Sequence, residues 1–163
     1  QGTSLQAPEE VAGFHIVGRH DYPDPAYGTN IRYGRDRDER YVDIYVYPGV
    51  PVNSACDAAC AVNTEADGFI QGIPELLRAG HYESLELTAD ERLRPGPGAP
   101  WAYGRHLTFR GRLRGQPVES RYYLYSFPGF VLKVRATYPP GSADARADVQ
   151  PFVDDLLRRL LRG

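Results

Sequence analysis

The chain has 163 residues, and its 42% hydrophobic and 12% aromatic content is typical of a folded domain that buries about two-thirds of its unfolded surface. A formal net charge of −2 argues against general nucleic-acid binding, which usually requires a net basic surface. No run approaches the ~18 consecutive apolar residues of a membrane-spanning helix, so no membrane span is predicted.

We expect one globular domain over residues 1–163, in which residues 1–10 are a polar, flexible lead-in. The first part of the chain alternates short apolar runs with turn residues, which predicts strands. These strands are expected at residues 11–17, 27–33 and 41–47. In the third, aliphatic residues alternate with polar and aromatic ones, so Val42, Ile44 and Val46 should face the core while Tyr41, Asp43, Tyr45 and Tyr47 face outward.

The middle of the chain is helical in character from residue 53 to residue 80, where Phe69, Ile70, Ile73, Leu76 and Leu77 recur at helical spacing. Pro74 must either kink this helix or begin its last part. A further strand is predicted at residues 82–87, followed by a Pro- and Gly-rich loop at 94–100. The C-terminal residues 149–161 carry an apolar stripe at helical spacing, which predicts an amphipathic helix that covers the sheet.

Residues 103–138 form the clearest pattern, three alternating segments joined by two short turns, and predict an antiparallel meander. A two-residue Gly115-Gln116 turn sets the first register and pairs Phe109 with Tyr122. A three-residue loop, Phe127-Pro128-Gly129, sets the second and pairs Tyr122 with Val134, whereas a two-residue Pro128-Gly129 turn would place Leu124 opposite Lys133 and swap the faces. The C-terminal helix should then cover a face formed by Leu107, Phe109, Leu124 and Leu132.

This register predicts a row of three arginines across the outer face, formed by Arg110, Arg121 and Arg135. Like charges directly opposite each other destabilise a sheet, so the row requires compensation. One interpretation is a site for an anion or an acidic partner, with Tyr123, Lys133 and Thr108 beside the arginines. The other is a solvated face whose arginines splay apart or pair with Glu119, Asp43 or Glu86.

Two cysteines, Cys56 and Cys60, are spaced one helical turn apart, within reach of a local disulfide. A redox-active pair is the alternative, although Cys-x-x-x-Cys is not the usual Cys-x-x-Cys motif. Two thiols alone supply half of a zinc site, and the spacing of His81 and His106 gives no support for further ligands, so no metal is predicted.

No pattern of nucleophile, base or cofactor-binding residues stands out, so no catalytic residue and no cofactor are predicted. None of the four histidines lies in a His-Glu-x-x-His motif, and no serine lies in a Gly-x-Ser-x-Gly elbow. An enzyme assembled from distant residues, or a thiol redox protein, stays open as the alternative to a binding domain.

The order of elements resembles the PsbP-like α/β-sandwich, a fold found in photosystem assembly proteins and in bacterial envelope proteins. The resemblance is carried by residues 41–48 and by residues 122–139 leading into 149–161. It implies an α+β fold, an antiparallel sheet packed against amphipathic helices, and an extracytoplasmic accessory or binding role without catalytic residues.

The chain starts at Gln1 and contains no methionine, from which we expect a periplasmic or secreted protein whose signal peptide has been removed. The leading hypothesis is a non-enzymatic domain that binds a protein partner or a small anionic ligand through a basic, tyrosine-rich sheet face.

Overall fold

The computed structural model describes residues 6–35, 38–93, 103–138 and 144–161. Within these ranges the strands are β1 (Glu10–Val11), β2 (Phe14–Asp21), β3 (Thr29–Arg35), β4 (Asp38–Tyr47), β5 (Ser84–Leu93), β6 (Tyr103–Leu113), β7 (Gln116–Phe127) and β8 (Phe130–Tyr138). The α-helices are α1 (Ala58–Gln71), α2 (Ile73–Arg78) and α3 (Asp144–Leu161), and a short 3-10 helix spans Pro25–Tyr27. The loop predicted at 94–100 lies outside the described residues.

The eight strands form one antiparallel sheet in the order β1-β2-β3-β4-β8-β7-β6-β5. The two meanders therefore meet where β4 pairs with β8. Helices α1 and α2 follow β4 and lie on one face of the sheet, which we call the α1 face, and α3 lies on the other, the α3 face. The predicted α+β class, an antiparallel sheet packed against helices that include a C-terminal one, is confirmed.

The α3 face is an apolar core. Phe152 of α3 is fully buried and meets Phe14 and Tyr33 edge to face, with ring centroids 5.5 and 5.2 Å apart. Val42 and Ile44 of β4 point into this core, as the alternation in that strand predicts. Helix α3 continues through Pro151, which lies inside it.

The α1 face is apolar only where α1 covers it. Phe69 of α1 packs on Phe109 and Tyr122 of β6 and β7, with centroids 5.5 and 4.4 Å apart. Asp57 caps α1 by accepting a hydrogen bond from the backbone N–H of Cys60 at 2.8 Å. The helix ends at Gly72, and Pro74 lies in the first turn of α2, where its missing N–H costs nothing.

The first predicted hairpin register is wrong by two residues. The turn is Arg114-Gly115, with φ values of 51° and 74°, and it pairs Leu113 with Gln116. Positive φ at both central residues is the geometry of a type I′ turn. The turn is held from outside the hairpin, because the Glu83 carboxylate accepts a hydrogen bond from the Gly115 N–H at 2.6 Å. A two-residue shift changes the partners of each side chain and leaves its face unchanged.

The second predicted register is wrong by one residue, and this error exchanges faces. The turn is the two-residue Pro128-Gly129, with Gly129 at φ 87°, and Phe127 stacks on Phe130 beside it at 4.7 Å. Leu124 therefore lies opposite Lys133. Because the centre of β7 is buried on both faces, its alternation does not mark one core side. Of the residues expected beneath the C-terminal helix, Leu132 lies under α3, whereas Leu107, Phe109 and Leu124 lie under α1.

Part of the predicted lead-in, residues 7–10, is held against the sheet. The Tyr33 hydroxyl donates a hydrogen bond to the carbonyl of Pro8 at 2.7 Å, and the Ile16 N–H donates to the carbonyl of Glu9 at 3.2 Å. Ala7 packs against the α3-face core. Residues from Ala7 onward are therefore tied to the sheet. Across the described ranges, no helix combines the length and the apolar character needed to cross a membrane.

Candidate ligand-binding cleft

The predicted arginine row does not form, because the one-residue change in register places its members on different faces. Arg135 lies on the α1 face, opposite Tyr122 and Asp43. Arg121 lies opposite Thr108 and Ala136 on the α3 face, next to Gln150 of α3. The three arginines therefore do not lie side by side, and the repulsion expected within the row does not arise.

Arg110 and Arg121 share one acid, as the second interpretation of the row expected. Glu119 lies directly opposite Arg110 and is 3.7 Å from its Nε, and it accepts a hydrogen bond from the Nε of Arg121 at 3.1 Å. Tyr123 is 2% exposed, on the α3 face, with its ring 4.1 Å from that of His106. On the α3 face, Arg110 and Arg121 thus pair with Glu119, and Tyr123 packs on His106.

Arg135 and Lys133, the other two predicted basic residues, line a cleft on the α1 face. It has a volume of about 570 Å³ and opens over β3, β4 and β8, beside α1 and α2. Its described lining residues are Arg32, Arg40, Tyr41, Asp43, Phe69, Leu76, His81, Tyr82, Leu113, Tyr122, Lys133, Arg135, Thr137 and Tyr138. Among these, four are lysine or arginine and one is a carboxylate, so the cleft is strongly basic.

Asp43 organises the guanidinium groups at the floor of the cleft. Its carboxylate is 5% exposed and accepts two hydrogen bonds from Arg32, at 2.9 and 3.0 Å, and one from Arg135 at 3.3 Å. Burial raises the pKa of this carboxyl, but the hydrogen bond from Arg32 and the charge of Arg135 outweigh it, and the pKa is lowered. One negative charge thus holds two positive ones in place.

Lys133 stands apart from this network. Its Nζ lies 4.6 Å from the ring centre of Tyr45 and 5.8 Å from that of Phe69, within the range of cation–π contacts. In the described part of the chain, no hydrogen bond or ion pair reaches it. Burial lowers the pKa of Lys133 to about 8, and the charge of Arg135 lowers it further, while Glu65 opposes the change. An ammonium group without an acid partner is well suited to receive an anion.

Hydroxyl groups border the cations. Tyr82 and Ser120 share a hydrogen bond at 3.4 Å, and Ser120 and Thr137 share another at 2.8 Å. Burial raises the pKa of Tyr82, but hydrogen bonds from Ser120, Tyr122 and Thr137 outweigh this, and the pKa is lowered. The wall of the cleft therefore offers hydrogen-bonding groups beside its positive charges.

Two arginines that organise this face were not predicted from the sequence. Arg32 stands in an N-terminal strand far from the meander, so nothing local to it indicated a site. Arg105, 3% exposed, donates two hydrogen bonds to Asp90 at 2.8 and 2.7 Å and one to Asp67 of α1 at 2.7 Å. It fastens α1 to β5 and β6 and so fixes the helix that forms one side of the cleft.

Cys56 and Cys60 form the predicted disulfide, with Cα atoms 5.2 Å apart. It joins the loop before α1 to the first turn of that helix. Neither cysteine is a lining residue of the basic cleft. The described residues also contain no cluster of three or more His, Cys, Asp or Glu side chains that could hold a metal ion.

No family model matches the sequence, and no curated protein matches it. Solved structures do match. The chain is similar to cyanobacterial PsbP (CyanoP) from Synechocystis sp. PCC 6803, with 9% identity and a TM-score of 0.58, over 88% of this chain and 85% of that one. It also matches PA94, a protein of unknown function from Pseudomonas aeruginosa, with 10% identity and a TM-score of 0.43, over 94% of this chain and 84% of that one. The likeness to the cyanobacterial structure shows that the fold is PsbP-like, as the sequence resemblance implied.

Proposed function

We propose that this chain is a non-enzymatic, extracytoplasmic accessory domain that binds a small anionic ligand in the basic cleft of the α1 face. The observation that carries the proposal is the charge of the cleft, whose described lining residues include Arg32, Lys133 and Arg135 but only one carboxylate, that of Asp43. Asp43 is fully engaged by the two arginines. Lys133 is left as the group with which an incoming anion would pair.

The proposal keeps the basic, tyrosine-rich character expected from the sequence but changes the surface. Arg135 and Lys133 remain, whereas Arg110, Arg121 and Tyr123 belong to the other face. The tyrosines are now Tyr45, beneath Lys133 and Arg135, and Tyr82 and Tyr122 on the cleft wall. A cleft of about 570 Å³ has the size of small-molecule sites, which favours a ligand over a protein surface.

An extracytoplasmic location is supported by the disulfide, since such bonds persist in oxidising compartments and are rare in the cytosol. The PsbP-like fold is consistent with that location. No observation favours the alternative of a thiol redox protein or an enzyme, because the disulfide lies outside the cleft and its position is that of a local staple at the start of α1.

The proposal is tested by titrating the protein with citrate and inorganic phosphate, with isothermal calorimetry as the readout. Lys133→Gln is the informative variant, because it removes a charge without leaving a partner unsatisfied. We expect it to weaken citrate binding about tenfold, the effect of losing one charge-assisted hydrogen bond. Arg135→Gln should act in the same direction.

Arg110→Gln is the matched control, since it removes one positive charge from the opposite face and should leave citrate affinity unchanged. Circular dichroism establishes that each variant is folded. Equal affinity in the Lys133 and Arg110 variants, or no binding of either anion to the unmodified protein, would overturn the proposal.

A further inference from the structure

A second cavity of about 710 Å³ lies on the same face, beyond Lys133. Its described lining residues are Tyr22, Ala26, Tyr27, Tyr45, Tyr47, Pro48, Gly49, Val50, Pro51, Glu65 and Lys133. Four tyrosine rings and two prolines dominate this wall. It is therefore an aromatic cavity next to a basic one, and Lys133 is a lining residue of both.

The wall of the second cavity is held in place by its own contacts. The Glu65 carboxylate of α1 accepts a hydrogen bond from the Val50 N–H at 3.0 Å and another from the Tyr47 hydroxyl at 3.1 Å. Asp24 caps the 3-10 helix that carries Tyr27 by accepting from the Ala26 N–H at 2.9 Å. The only carboxylate among the described lining residues is thus occupied with positioning the loop.

The apolar surface of this cavity is open. Tyr27 is 65% exposed although it is a large aromatic residue, and its ring centroid lies 6.2 Å from that of Tyr22. Exposed aromatic rings that converge on a concave surface commonly mark a binding site, whereas single exposed hydrophobic residues do not. Lys133 lies at the junction, with its Nζ 4.6 Å from the ring of Tyr45, which lines the aromatic cavity.

We infer that the ligand is an amphipathic organic anion, whose acidic head pairs with Lys133 and Arg135 and whose ring-containing body lies against the tyrosines of the second cavity. This inference rests on the proposed function and adds the chemical class of the ligand. An inorganic or fully polar anion would use the basic cleft alone. A body that is flat and apolar gains additional contact area with rings that are already positioned.

The test uses two fluorescent probes with the same aromatic skeleton. The first, 8-anilinonaphthalene-1-sulfonate, carries a sulfonate, and the second, N-phenyl-1-naphthylamine, carries no charge. We expect the sulfonate probe to bind at one site and at least about tenfold more tightly than citrate, since its aromatic body removes apolar surface from water against the tyrosines and citrate has no such body. The neutral probe should bind more weakly than the sulfonate.

Two variants test the acidic head and the ring-containing body of the ligand separately. Tyr27→Ala should weaken the sulfonate probe several-fold and leave citrate affinity unchanged, because citrate does not reach the tyrosines. Lys133→Gln should weaken the sulfonate probe and citrate but leave the neutral probe unchanged. Val17→Ala, at an exposed position of β2 that lines neither cavity, is the control and should alter none of the three affinities.

The failures of the two proposals differ. If citrate binding depends on Lys133 but Tyr27→Ala leaves the sulfonate probe unaffected, the aromatic cavity is not part of the site and this inference is wrong. If the sulfonate probe binds and neither probe nor citrate responds to Lys133→Gln, the basic cleft is not an anion site and both proposals are wrong.

Discussion

Both faces of the sheet carry aromatic residues but use them differently. Under α3, the rings of Phe14, Tyr33 and Phe152 are fully buried, and the first two each contact Phe152. On the α1 face, aromatic packing ends at Phe69 of α1. Beyond it, Lys133 and Arg135 of β8 line the cleft. Helix α3 covers an apolar core at the centre of its face, whereas α1 leaves a cleft beside it.

The difference follows from which strands each helix contacts. Helix α3 packs on residues from β1 to β4 and from β7 and β8, at the centre of the sheet. Helix α1 packs on β6 and β7, and Arg105 anchors it there through Asp67 and Asp90. The strands β3, β4 and β8 are therefore filled on the α3 face and open on the α1 face. Each face should respond to mutation in its own way.

The largest effect on stability is expected on the α3 face. Phe152→Ala removes a fully buried ring from between Phe14 and Tyr33 and should lower the free energy of unfolding by about 3–5 kcal/mol. Urea denaturation followed by circular dichroism measures this loss. Citrate affinity of the fraction that remains folded should be unchanged, because Phe14 and Tyr33, the rings that Phe152 meets, are not lining residues of the cleft.

The matched control is Val52→Ala, which truncates a side chain that is 44% exposed and should change stability by less than about 0.5 kcal/mol. A loss below about 1 kcal/mol for Phe152→Ala would show that the α3 face is not the tightly packed core described above, and it would remove the contrast between the two faces.

Asp43→Asn should affect stability and binding in opposite directions. The substitution leaves Arg32 and Arg135 without their shared acid in a half-buried setting, so stability should fall by about 2–3 kcal/mol, less than for a fully buried pair. Removal of the negative charge should at the same time strengthen citrate binding several-fold. Denaturation and calorimetry on the same variant measure the two effects.

The acid dependence of stability provides the control for this variant. Because the pKa of Asp43 is lowered in the folded state, its contribution is present above the unfolded pKa of 3.8 and is lost as the pH falls through the folded value. Asp43→Asn should therefore lose less stability on acidification than the unmodified protein. Weaker citrate binding in the folded variant would contradict the idea that Asp43 competes with the ligand for Arg32 and Arg135.

The sequence predicted the fold because the fold depends on local patterns. The alternation in β4, the apolar stripe of α3 and the proline that begins α2 are each visible within about ten residues. The order of these elements was sufficient for the PsbP-like resemblance, which the likeness to the cyanobacterial structure supports. The disulfide also followed from the spacing of Cys56 and Cys60 alone.

The site was predicted only in part because it depends on register and on distant residues. The choice between a two-residue and a three-residue turn at Pro128 and Gly129 decides which face Arg135 occupies, and a strand buried on both faces gives no pattern to decide it. The pairing of Arg32 with Asp43 requires β3 beside β4, and that of Asp43 with Arg135 requires β4 beside β8. Lys133 and Arg135 share the α1 face, and Asp43, one of the acids expected beside the arginines, pairs with Arg135, whereas nothing in the sequence indicated Arg32.

The smallest expected effect is a pH dependence of citrate affinity, caused by Lys133 on the α1 face. Since the pKa of Lys133 is lowered to about 8, its positive charge is present below that pH and is lost well before an ordinary lysine would lose it. Citrate affinity should therefore fall by up to about tenfold as the pH rises from about 7 to about 9.5. Lys133→Gln should abolish this dependence.

Lys133 is the only lysine of the chain, so selective isotopic labelling of lysine gives one Nζ resonance whose titration can be followed directly by NMR. Bound citrate should raise the pKa of Lys133, because a nearby anion favours the ammonium form and opposes the cost of burial.

Binding at about pH 8.5 would then take up a proton, detectable as a difference in calorimetric heat between buffers of unequal ionisation enthalpy. A free-state pKa near 10.5 would show that the ammonium is fully solvated, and a pKa unchanged by citrate would place the anion elsewhere. Either result would contradict the proposal that the open part of the α1 face binds an anion at Lys133.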